Sequence, residues 1–305
     1  MAAPEQQIML IETWLEHLMA QGRSPHTLKA YRRGWYHLAR WYQGTYGEDC
    51  DPTRLIARDI RDWKSYQQSV EKAAPSTINQ RLVAVSSFYK WALVHDYISR
   101  DPTGDVTTIR LTRQQPKSLS TKQLRRLLRA VHNGGSSRDV AIIEMLVGAG
   151  LRVGELLQLQ VGDVMLRDRS GWVIVREGKQ GGYREVPLTQ EVRQAVADYL
   201  ETDPAEGKQG EETPLWWGKN GPLTHRSSVL RVLKKYAFRA QLKSISPHVL
   251  RHTFATHYLK ANPDDLRGLA ALLGHSDLNT VMIYTAPTQQ DLASRMERMS
   301  NIQVD

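Results

Sequence analysis

The sequence predicts a mainly α-helical protein of two domains, with a small β-sheet confined to the second. Three observations carry this. Apolar residues recur at helical spacing through the first hundred residues. A stretch from Asp101-Pro102 to Lys117, with two prolines and few large apolar residues, then interrupts the pattern. Beyond it, two short strand-like segments, the first rich in β-branched residues, flank a single glycine-rich turn. A chain of 305 residues is long enough for two cores.

Ile8, Leu10, Ile11, Trp14, Leu15 and Leu18 form the first helical stripe, which Gly22 closes. Ser24-Pro25, a capping residue followed by proline at the first helical position, opens a second helix through Tyr31, Trp35, Leu38 and Trp41. Asp59 opens a third, and Ser76 or Thr77 caps a fourth with Leu82, Val85, Phe88 and Tyr89 inward. These helices define an N-terminal domain over residues 1–105, followed by an extended linker over 106–118.

Ser120 then caps a helix over Lys122 to Val131, and helices over 138–149 and 152–159 follow. Trp172–Arg176 and Tyr183–Pro187 read as a hairpin around Gly178-Lys179-Gln180-Gly181-Gly182. Helix resumes over 189–200, and the Glu- and Gly-rich stretch from Glu201 to Pro214 reads as an exposed, mobile loop. Helices cover most of the remainder, with breaks at Asn262-Pro263 and Gly274. The second domain spans 119–286. Residues 287–305 form a tail, in which Thr288, Leu292, Met296 and Met299 suit a short amphipathic helix.

The formal charge of +9 points to a polyanionic partner, nucleic acid rather than membrane, since no basic amphipathic anchor is evident. The excess is divided, with +4 over residues 1–118 and +5 over the rest, as two basic jaws of a clamp would have it. Lys29, Arg32, Arg33, Arg81 and Lys90 fall on the more polar faces of their helices, where they suit solvated charge and phosphate contact alike. A single cysteine, Cys50, excludes an intrachain disulfide and a cysteine-based metal cluster. Without a secretion signal or an apolar run of about 18 residues, the chain reads as cytoplasmic and not membrane-bound.

Chemistry concentrates in five places. Ser246-Pro247 starts a helix whose first turn carries His248 and Arg251, three apart, at an end that already favours anions. Arg152 follows the turn Gly148-Ala149-Gly150-Leu151, with Glu155 three residues on as a ready ion-pair partner. Lys179 occupies the hairpin turn. His275 follows Leu272-Leu273-Gly274, and Tyr284 closes the next predicted helix. Two arginines, two histidines and one tyrosine are the parts needed to break a phosphodiester without a metal ion, and no Asp/Glu/His cluster of a two-metal nuclease stands beside them. No cofactor is implied.

In this order and local context, the residues resemble the tyrosine site-specific recombinases, the phage integrase and Xer superfamily. The resemblance covers almost the whole chain. It implies a two-domain DNA clamp, with a helical core-binding domain facing an α+β catalytic domain. It further implies cleavage and rejoining of double-stranded DNA at paired recombination sites through a 3′-phosphotyrosine, for integration, excision or resolution. Tyr284 is then the nucleophile and Lys179 the proton donor to the leaving 5′ oxygen. Arg152, His248, Arg251 and His275 complete the catalytic set, and Glu155 supports it. Protomers would pair on one site and form a tetramer in the synapse, with the tail docking on a neighbour or on its own domain. Two other readings stay open from the sequence: a DNA-binding protein on this fold that does not cleave, and a type IB topoisomerase-like enzyme.

Overall fold

A computed structural model describes residues 4–111, 118–176, 183–202, 210–243 and 245–274. The chain divides into two compact units, Met1–Arg113 and Gln114–Asp305. Among the described residues no helix is long and apolar enough to cross a membrane, and no group of three or more His, Cys, Asp or Glu is placed to hold a metal ion.

The first unit is built from α1 (Pro4–Ala20), α2 (Pro25–Tyr46), α3 (Ala57–Ser69) and α4 (Pro75–Val94). Its core is aromatic: Trp14, Trp63, Phe88 and Tyr89 are fully buried with Leu38 and Ile60. Trp35 meets Phe88 edge-on at 4.6 Å, and Trp14 stacks on Tyr31 at 5.6 Å. α2 and α4 cross closely at Gly34, where a Cβ would stand 3.0 Å from that of Ala84. Ser24 caps α2 as the sequence predicts, accepting from the Thr27 N–H at 3.2 Å.

Two helix starts differ from the prediction. α3 begins two residues before Asp59, which sits inside the first turn and accepts from the Ile56 N–H at 2.9 Å. α4 begins at Pro75 without a side-chain cap, because proline in the first turn has no N–H to satisfy. Beyond α4, the Thr107 carbonyl accepts from Lys64 at 2.6 Å, and Ile109 exchanges two hydrogen bonds with Asn79 at 2.7 and 2.8 Å. The first residues of the stretch read as linker are therefore tied to this unit.

The second unit centres on α6 (Ser137–Gly148), in which Ala141 through Leu146 are all buried, as befits a helix covered on every side. Around it pack α5 (Thr121–His132), α8 (Gln190–Leu200), α9 (Arg226–Arg239) and α10 (Pro247–Ala261). α7 (Val153–Gln158) follows α6 after a sharp turn, and α11 (Leu266–Leu273) packs on α10. One antiparallel sheet has the order β1 (Val164–Leu166), β2 (Gly171–Arg176), β3 (Tyr183–Pro187), with Val173 opposite both Val164 and Val186. A second, minimal pair joins β4 (Trp217–Gly218) to β5 (Gly221–Pro222).

The stretch predicted as a mobile loop is anchored at its far end. The Glu211 and Thr213 carbonyls accept from the Gly162 and Val161 N–H groups at 2.9 and 2.8 Å. Residues 203–209 lie outside the described residues, as do 112–117 of the predicted linker and the tail over 287–305.

The turn between α6 and α7 depends on Gly150. Its φ is +62°, and a Cβ there would fall 2.4 Å from the Phe254 ring of α10. Left-handed backbone costs a non-glycine residue about 1–2 kcal/mol, and overpacking a core adds about 1–3 kcal/mol. Gly150→Ala should therefore destabilise the second unit by roughly 2–5 kcal/mol in denaturant titration. An unchanged midpoint would mean that this turn does not hold α6, α7 and α10 in register.

Candidate active site

Three of the predicted residues meet at the α6–α7 turn. Arg152 is not inside a helix but is the N-cap of α7. Glu155 sits in the first turn of α7, and its Oε2 accepts from the Arg152 N–H at 2.8 Å while its Oε1 accepts from Arg152 Nη1 at 2.6 Å. This is the acidic half of a capping box, which fixes the backbone that presents the arginine. The Arg152 side chain remains 42% exposed, so the guanidinium stays within reach of a ligand.

Arg251 reaches the same turn from α10. Pro247 opens this helix, and Ser246 caps it by accepting from the Val249 N–H at 3.3 Å. Arg251 is only 4% exposed; it donates to the Gly150 carbonyl at 2.8 Å and to the Leu273 carbonyl of α11 at 2.7 Å. Its Nη1 lies 3.7 Å from Glu155 Oε2. The close approach of α10 that Gly150 permits thus brings Arg251 to the turn that carries Arg152 and to Glu155. His248, one turn earlier, is exposed, and its ring centre lies 6.4 Å from that of His252. Burial lowers the pKa of His252, and the neighbouring His248 and Arg251 lower it further, so the protonated ring is disfavoured.

The sequence reading missed Arg184 of β3. This side chain is 9% exposed, donates from Nη2 to Glu155 Oε2 at 2.8 Å and from Nε to the Leu272 carbonyl at 2.9 Å. Burial by itself would raise the Glu155 pKa. The hydrogen bonds from Arg184 and the Arg152 backbone, with the Arg184 charge, outweigh it and hold the carboxyl below its ordinary value. Three guanidinium groups around one carboxylate leave net positive charge at the N-terminus of α7, a setting suited to a phosphate.

Lys179, His275 and Tyr284 lie outside the described residues. Of their surroundings, the structure describes β2 and β3, which precede and follow the segment carrying Lys179, and Gly274, which ends α11 with φ +63° immediately before His275 in the sequence.

In the first unit, Lys29, Arg33 and Arg81 line one open groove along α2 and α4, together with His26 and Arg40. Arg40 was not anticipated, although it continues the stripe of Lys29 and Arg33 at helical spacing. Arg81 is engaged there by Gln67 at 3.0 Å and Glu71 at 2.9 Å. Arg32 is apart from these, paired with Glu12 of α1 at 3.0 Å. Lys90 borders a separate groove with Thr103 and Val106.

Comparison with known proteins decides the kinship. Residues 117–291 match the phage integrase family, and residues 11–95 match the phage integrase N-terminal SAM-like domain. The chain belongs to the phage integrase family of tyrosine recombinases. Within that family, it is 36% identical to the tyrosine recombinase XerD of Ralstonia nicotianae over 92% of this chain and 88% of that one. It is 31% identical to XerC of Neisseria gonorrhoeae over 90% and 89%. The fold is that of the XerH site-specific recombinase solved after cleavage on a palindromic difH substrate, with a TM-score of 0.76 at 18% identity over 100% of this chain and 86% of that one. The mainly helical, two-part architecture with small antiparallel sheets is the fold of tyrosine recombinases.

Proposed function

We propose that this protein cleaves and rejoins DNA through a 3′-phosphotyrosine formed on Tyr284, with Arg152, Lys179, His248, Arg251 and His275 as its catalytic partners. Membership of the family makes it a site-specific DNA recombinase, an enzyme of strand cleavage and rejoining. What best supports the residue roles is the junction of Arg152 and Arg251 around Glu155 at a helix start.

The Tyr284 phenol attacks phosphorus and must lose its proton as it does so, since its ordinary pKa is about 10. His248 accepts that proton or hydrogen-bonds the phosphate. The transition state gathers negative charge on the non-bridging oxygens, which Arg152, Arg251 and His275 offset. Lys179 protonates the departing 5′ oxygen. The phosphotyrosine keeps the energy of the phosphodiester, so a second 5′ hydroxyl reseals the strand without ATP or a metal ion.

The partner is duplex DNA with paired sites, bound by two protomers on one site and four in the synapse. Lys29, Arg33 and Arg81, lining one groove, contact phosphates; Arg32 and Lys90 add charge from neighbouring faces. We place the protein in the cytoplasm, with the DNA it acts on.

The reading is tested by incubating the protein in EDTA with end-labelled DNA from the flanks of its own gene and quenching with SDS. The expected product is protein joined to a 3′ phosphate, with a free 5′ hydroxyl on the other fragment. A 5′-linked product, or one formed only with added magnesium, would overturn the mechanism. Tight, sequence-specific binding with no adduct would move the protein to the non-cleaving class.

A further inference from the structure

The two guanidinium groups that neighbour Glu155 from other elements share a second property. Both end on α11. The last carbonyls of a helix have no partner within it. Here Leu272 gives its carbonyl to Arg184 Nε at 2.9 Å and Leu273 gives its carbonyl to Arg251 Nη2 at 2.7 Å. Cations are favoured at that end by the helix dipole, and Gly274 then turns the chain out of the helix in left-handed conformation. The next residue in the sequence is His275, and Tyr284 follows nine residues later.

Arg251 was expected at the site. Arg184 was not, yet its reach to α11 crosses 88 residues of sequence where that of Arg251 crosses 22. Nε and Nη2 lie on one edge of the planar group, and that edge bridges the first turn of α7 to the last turn of α11. Its own backbone is in β3, which pairs with β2 at Arg184↔Val175, five residues beyond Lys179. One buried side chain therefore joins the three stretches of chain that carry Arg152, Lys179 and His275.

We propose that Arg184 is a positioning residue of the recombination reaction, fixing the end of α11 against Glu155 so that the segment bearing His275 and Tyr284 departs from a set point beside Arg152. This rests on the catalytic assignment proposed above. Arg184 need not touch DNA or the reacting phosphate. A lysine keeps its charge but has no planar edge to hold two acceptors at once.

The test compares wild type, Arg184→Lys and Arg184→Gln, as full-length chains, for thermal melting, affinity for site DNA and single-turnover adduct formation. A displacement of about 1 Å in a reacting group can cost about 10²-fold in rate. Both variants should bind DNA within about twofold of wild type and melt as folded proteins, while adduct formation falls about 10²-fold and lysine fails to restore it. A lysine variant that cleaves at the wild-type rate would overturn the inference, since charge alone would then suffice. Affinity or folding lost in parallel with cleavage would also overturn it, because the role would then be structural. If wild type itself gave no adduct, the catalytic reading would fail first and this inference with it.

Discussion

Tyr284→Phe protein is expected to bind its DNA site within about twofold of the wild-type affinity and to form covalent adduct more than about 10⁴-fold more slowly. The substitution removes one hydroxyl and keeps the ring, so binding and cleavage should separate cleanly. Four other tyrosines make poor substitutes. Tyr236 is fully buried and gives its hydroxyl to Asp139 at 2.8 Å. Tyr258 donates to Asp265 at 2.6 Å, and that hydrogen bond, then burial, pushes its pKa up, which works against loss of the proton. Tyr89 and Tyr199 are buried as well. Tyr183 is 67% exposed and stands next to Arg184, so it is the control to make beside Tyr284. An adduct that survives Tyr284→Phe but disappears in Tyr183→Phe would transfer the nucleophile to β3 and overturn the assignment.

Local signals carried much of the fold. Ser24-Pro25, Ser120 and Ser246-Pro247 each cap a helix where their residue types require it, because a side-chain oxygen and a missing N–H solve the same end problem in any context. What escaped were features made by distant partners. β1 has three residues and β4 and β5 two each, too short to show a period, and they exist because β2 or a facing strand supplies the hydrogen bonds. Arg184 looked like an ordinary polar residue of a hairpin strand. Its burial comes from α11, 88 residues away, for which β3 alone carries no signal. Arg152 and Glu155 were legible as a pair, since they stand three positions apart in the sequence. The meeting of Arg251 with Glu155 was not, because it depends on how closely α10 approaches Gly150.

Glu155 is where charge, fold and chemistry coincide, so its neutralisation should have the second large effect. In Glu155→Gln, the amide oxygen can still accept from the Arg152 N–H and preserve the helix start. The buried guanidiniums of Arg184 and Arg251 would lose the negative charge that Glu155 sets beside them. Breaking a buried ion pair from one side costs about 3–5 kcal/mol, and we expect the second unit to lose stability in that range at pH 7. The sign with pH follows from the lowered pKa of the carboxyl. The contribution is complete above the ordinary value of about 4.5 and is lost as pH falls through the lower folded value, while the arginines stay charged throughout. The difference in unfolding free energy between wild type and Glu155→Gln should therefore be constant from about pH 6 to 8 and shrink below about pH 4. Asp139, also held below its ordinary pKa against its burial by Arg138, Tyr236 and Lys235, weakens both proteins in acid. The difference between them isolates Glu155. A gap that persists unchanged to pH 3, or that is absent at pH 7, would mean the carboxylate does not bind the three arginines together. Cleavage should fall along with stability in this variant, since without the carboxylate neither Arg152 nor the end of α11 is held to the same point.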